Sequence, residues 1–146
     1  MIEKEFIPYE LALELKQLGF NEPTFFAFDN CSHPMRCTDL RTNEQKFNGV
    51  NYNSSSYTSQ PTYSQAFRFF REKYDFHYSI DRERSQHDFE WGYNWSIYNY
   101  TGVCSEYLTS HPDAPAGEWV YKTYEEAELA CLKKLIEIVK TYGGNK

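Results

Sequence analysis

The chain of 146 residues has the length of one compact domain, 1–146, long enough to bury roughly two thirds of the surface that its unfolded form exposes. Its net charge of −6 comes from 21 acidic and 15 basic residues that are interspersed along the sequence, which argues against the clustered Lys and Arg of a phosphate-binding face. Aromatic residues make up 18% of the chain, with 13 Tyr leading, so rings must build the core and part of the surface.

The N-terminal stretch "MIEKEFIPYE" lacks a basic region followed by an apolar one, so no signal peptide is expected. No run approaches the roughly 18 apolar residues of a membrane span. Cys31, Cys37, Cys104 and Cys131 therefore read as reduced thiols of a cytoplasmic protein, and the sequons at Asn53, Asn94 and Asn99 as chance matches.

"PYELALELKQLGF" predicts a first helix, with Pro8 near its start, Leu11, Leu15 and Leu18 on one stripe, and Gly19 as its stop. The apolar run "TFFAFD" then suits a buried strand. Periodicity disappears over 30–60, where "NGVNYNSSSYTSQ" reads as a long surface loop or excursion. It returns in "PTYSQAFRFFREKY", whose Tyr63, Phe67, Phe70 and Tyr74 recur at helical spacing. Thr62 and Gln65 stand three apart at the start of that helix, the spacing of a capping box, and Thr123 and Glu126 repeat the arrangement.

Two strands lie between these helices. "DFHYSID" places Phe76, Tyr78 and Ile80 on one face; "FEWGYNWSI" places Phe89, Trp91, Tyr93, Trp95 and Ile97 on one face, read as core. The polar link "RERSQH" makes them an antiparallel hairpin, and "VCSEYL" is a third strand. The last helix starts at Tyr124, with Ala127, Cys131, Leu135, Ile138 and Val139 inward and Glu126, Lys133, Glu137 and Lys140 outward. Helix, strand, strand, strand, helix over the second half implies an α+β fold: one antiparallel sheet of three or four strands with helices packed on one face.

The blocks "IPYELALELKQLGF", "PTYSQAFRFFREKY" and "TYEEAELACLKKLIEIVK" resemble a family of small uncharacterised proteins of phages, prophages and mobile elements of gut anaerobes. The resemblance implies a mobile-element context inside a bacterium and brings no activity, cofactor or catalytic residue with it.

The chemistry-bearing residue types are few. Cys31, His33 and Cys37 in "CSHPMRC" are close enough to offer three ligands to zinc, with Cys104 or His111 as a remote fourth, but the two clean ligand pairs of a structural site are missing. No nucleophile elbow, phosphate loop or HExxH motif occurs, so no catalytic residue and no cofactor is assigned. The element order is also that of a double-stranded-RNA-binding domain. Glu125, Glu126 and Glu128 stand where such a domain needs lysines, so strong nucleic-acid binding is not expected.

The tyrosines outside the predicted core are the remaining pointer: Tyr52 and Tyr57 in the Asn/Ser-rich stretch, and Tyr98, Tyr100 and Tyr107 around Thr101-Gly102. Tyr with Ser and Asn is the composition of adaptable binding loops. The expected function is that of a non-catalytic protein binding a bacterial host protein, host-defence components included, or a second copy of itself. The alternative is a nucleotide-like ligand in an aromatic pocket, its phosphate met by Arg68, Arg71, Arg82 or Arg84.

Overall fold

The computed structural model describes residues 2–31, 36–37, 49–84, 90–101, 104–110 and 121–142. The chain forms two compact units, Met1–Ala66 and Phe67–Lys146. The fold is α+β, with two three-stranded antiparallel sheets among the described residues.

In the first unit a 3-10 turn, Ile2–Glu5, precedes helix α1, Tyr9–Gln17. Leu11, Ala12 and Leu15 are buried on one side of α1. Its C-terminus closes as the sequence predicts. Gly19 adopts a left-handed φ of 90°, its N–H donates to Lys16 O at 3.1 Å, and the Phe20 N–H donates to Leu15 O at 2.9 Å. This is a Schellman closure, with the Phe20 ring buried beneath it.

Strands β1 (Phe26–Asp29), β2 (Arg36–Cys37) and β3 (Tyr57–Gln60) make the first sheet, in the order β2-β1-β3. Two expectations change here. Ala27 is buried as predicted, but Phe25, in the same apolar run, is 44% exposed. The stretch 30–60 is not loop throughout, because β3 lies inside it and Thr58, Ser59 and Gln60 are buried. Hydrogen bonds explain how so polar a strand tolerates burial. Thr58 Oγ1 donates to Asn30 Oδ1 (2.7 Å), Gln60 Nε2 to Ile7 O (3.0 Å), and the Ser59 N–H to Asn53 Oδ1 (2.9 Å). Lys16 reaches the same segment from α1, its ammonium donating to the Ser54 and Tyr57 carbonyls. Gly49, at a φ of 70°, permits the two-bond bridge between Thr24 and Val50, since a Cβ there would lie 3.0 Å from Thr24 O.

Helix α2, Tyr63–Tyr74, contains the division between the units. Its predicted capping box is present: the Thr62 N–H donates to Gln65 Oε1 (3.1 Å) and the Gln65 N–H to Thr62 Oγ1 (3.2 Å). The second sheet is β4 (Phe76–Arg84), β5 (Trp91–Thr101) and β6 (Cys104–Ser110), all antiparallel in that order. β4 runs further than predicted, taking in Arg82, Glu83 and Arg84 from what the sequence suggests is a link. Between β5 and β6 the ladder slips by one residue at Ile97/Tyr98.

Helix α3, Tyr124–Tyr142, packs on β5 and β4 with Ala127, Cys131, Leu132 and Leu135 fully buried. It begins with the second capping box, the Glu126 N–H donating to Thr123 Oγ1 (3.2 Å) while Glu126 Oε2 accepts from the Thr123 N–H (3.3 Å). Tyr78 of β4 shows that α2 and α3 share one sheet face. Its ring stacks on Phe67 of α2 at 3.7 Å between centroids, and its phenol feels Tyr124 and Glu128 of α3. Burial first, then these neighbours, pushes that phenol up to about 12. The Cys131 thiol is also driven upward, by burial and then by Glu128, as befits a core residue.

Thr62→Ala and Thr123→Ala are each expected to lower unfolding free energy by about 1 kcal/mol in urea titrations, and glycine at either site by only a few tenths. The Tyr78 phenol ionises near 10 in the unfolded chain and near 12 in the folded one, so its contribution to stability is complete below pH 10 and is lost as pH rises from 10 to 12. Over that window the urea midpoint of the native protein should fall more steeply than that of Tyr78→Phe.

Candidate aromatic and arginine contact surface

Strand alternation sends Trp91, Tyr93, Trp95 and Ile97 of β5 to one face. Opposite them on β4 stand Arg84, Arg82, Ile80 and Tyr78 in turn. The two ends of this face differ. At one end Trp95 and Ile97 are buried, Trp95 at 1% exposure; at the other Trp91 is 59% exposed. The cross-strand partners change character at the same point, from Tyr78 and Ile80 to Arg82 and Arg84.

At the open end the Arg82 guanidinium lies 5.2 Å from the centre of the Trp91 ring, within cation–π range. Tyr93 is held from two sides. Its backbone exchanges two hydrogen bonds of 2.8 Å with Tyr121, and its ring meets Tyr124 edge-on at 5.9 Å. Tyr124 is itself 41% exposed. The result is a surface of Trp, Tyr and Arg on a paired, packed sheet, the residue types that dominate binding energy at protein interfaces.

A cavity of about 360 Å³ lies next to it, between Trp95 and α3, with Tyr121, Leu129, Ala130 and Lys133 in its lining. That is within the range of small-molecule sites, at the lower end. The opposite face of the sheet is polar and internally paired. His77 stacks on Tyr98 at 5.9 Å and its Nε2 lies 3.1 Å from Asp75 Oδ1, the Ser79 hydroxyl donates to Asp81 (2.9 Å), and Asn94 Nδ2 donates to Glu83 (2.6 Å).

The residues singled out by sequence are divided between the two units. Tyr52 and Tyr57 are half-buried in the first unit, Tyr57 as part of β3, while Tyr98 is half-buried against His77 in the second. Tyr100 and Tyr107 take their places in the β5–β6 ladder, where Tyr107 pairs with Tyr98. The four arginines separate into two pairs. Arg68 and Arg71 are exposed on α2, and Arg71 acts on Tyr78, which lies about 20 Å of strand away from Arg84. They form no single phosphate site. The Cys31 thiol is exposed and donates to Asp29 Oδ1 at 3.2 Å, Cys37 contributes to β2, and His33 lies outside the described residues. Among the described residues no three of His, Cys, Asp and Glu are grouped to hold a metal ion.

Trp91 corrects the sequence reading, which assigns it with Trp95 to the core. Both do occupy one face; what alternation leaves out is how far the helices extend over that face. The signal was in the partner strand, where the positions facing Trp91 and Tyr93 are Arg84 and Arg82. No protein-family model, curated protein or solved structure matches the chain.

The two tryptophans should therefore differ sharply in the cost of truncation. Trp95→Ala is expected to cost about 3–5 kcal/mol of stability through lost burial and a cavity, and Trp91→Ala under about 1 kcal/mol, both read from urea unfolding monitored by circular dichroism.

Proposed function

We propose that the chain is a non-catalytic interaction protein that binds a protein partner through the open end of its second sheet. The observation that carries this is Trp91: a large ring 59% exposed, with Arg82 over it, on a strand whose other end is core. An isolated exposed aliphatic residue would carry no meaning, but a tryptophan flanked by Tyr93, Tyr124 and two arginines forms a contiguous patch. Burying such a ring in a partner's pocket is favourable, and it costs little entropy because the ring has only two side-chain torsions.

The charge at this end indicates the partner's character. The chain as a whole is acidic, yet Arg82 and Arg84 stand side by side with Trp91 and Tyr93. An apolar socket bordered by carboxylates is the complement. The resemblance of the helical blocks to phage and mobile-element proteins supports a bacterial host protein in that role. A nucleic acid fits less well, because Glu125 and Glu126 occupy the first turn of α3 and repel phosphate. No helix among the described residues is long and apolar enough to cross a membrane.

Affinity capture from bacterial lysate, followed by titration of the recovered partner, tests the proposal. Trp91→Ala is expected to weaken binding about 30-fold, the equivalent of roughly 2 kcal/mol, and Arg82→Ala less. Arg68→Ala, on α2, should leave it unchanged. A stoichiometric partner bound equally well by the double variant Arg82→Ala/Trp91→Ala would overturn the assignment.

A further inference from the structure

Strand β4 is an edge of the second sheet, paired among the described residues with β5 alone. The direction of its open backbone groups follows from Tyr93, which exchanges both of its backbone hydrogen bonds with Tyr121 on the side away from β4. Arg82 stands opposite Tyr93 in an unbroken ladder, so it turns its own N–H and C=O away from β5. Alternation turns the groups of Tyr78 and Ile80 the same way. Among the described residues these outward groups meet no hydrogen-bond partner.

A row of open groups is a template for another strand, and edge charges commonly prevent its use. On β4 the charges instead select one register. The strand is Phe76–Arg84, nine residues with Ile80 at the middle. When a second copy of β4 lies antiparallel with the two Ile80 residues opposite each other, Ser79 faces Asp81, Tyr78 faces Arg82, His77 faces Glu83 and Phe76 faces Arg84. No like charges meet, and the outward groups of Tyr78, Ile80 and Arg82 face their counterparts. The neighbouring registers fail. A centre on Asp81 opposes that carboxylate to itself, a centre on Arg82 opposes Arg82 to itself and Asp81 to Glu83, and a centre on Ser79 carries Glu83 to Asp75.

We infer that the chain forms a symmetric homodimer in which two β4 strands pair antiparallel about Ile80, joining two three-stranded sheets into one. Trp91 lies one strand in from this edge, on β5, so the interface does not depend on the protein-binding surface proposed above.

Sedimentation velocity over a concentration series, with amide hydrogen exchange on the native full chain, tests the inference. The chain is expected to pass from monomer to dimer as its concentration rises. The Tyr78, Ile80 and Arg82 amides should gain protection with the dimer, while those of His77, Ser79 and Asp81, which face β5, should keep the protection they have in the monomer. Ser79→Asp, which sets carboxylates against each other twice across the interface, should weaken the dimer at least about fivefold. Ser79→Asp/Asp81→Ser, which exchanges the two side chains, should restore it, and Trp91→Ala should dimerise as the native chain does. A chain that stays monomeric at millimolar concentration, a dimer without added protection of those three amides, a Ser79→Asp dimer as tight as the native one, or loss of the dimer in Trp91→Ala would each overturn the inference.

Discussion

The register between β4 and β5 is the constraint on which the second unit depends. Pairing Ile80 with Trp95 and Tyr78 with Ile97 places these four side chains on one face, where Trp95 and Ile97 are buried and Tyr78 and Ile80 half-buried. The same register carries Arg82 to Tyr93 and Arg84 to Trp91 on that same face. Because side chains alternate with a period of two, a slip of one residue would turn both sets over at once. Core and contact surface are thus two ends of one ladder, and the buried end sets the position of the exposed one.

Rigidity follows from this coupling. Trp91 pairs with Arg84 at the end of the β4–β5 ladder, next to Tyr93, whose backbone is tied to Tyr121 and whose ring touches Tyr124 at the start of α3. A ring held in place loses less freedom on binding than one on a loose loop. The tyrosine-rich segments that composition favours are used differently. Tyr57 is part of a sheet and Tyr98 is stacked on His77, each half-buried.

The helices and the second sheet were legible in the sequence because local chemistry and global packing agree there. Thr62 with Gln65 and Thr123 with Glu126 form the capping boxes that their spacing implies, and Gly19 closes α1 as expected. β3 was not legible, for a physical reason. Thr58, Ser59 and Gln60 are buried through hydrogen bonds to Asn30, Asn53 and Ile7, and hydrophobic periodicity cannot register a strand that is polar and satisfied. The contact surface was half legible. Alternation put Trp91 on the face of Trp95, but the reach of a helix over a sheet is a tertiary property, and only the arginines of β4 hinted that the apolar face ended.

Hydroxyl-radical footprinting with residue-level mass spectrometry distinguishes the two ends of the ladder, because it reads side-chain exposure on the native chain without substitution. Trp91 is expected to oxidise rapidly, with Trp95 protected up to the denaturant concentration at which the second unit unfolds. Comparable oxidation of both rings under native conditions, or protection of Trp91 in the chain on its own, would contradict it.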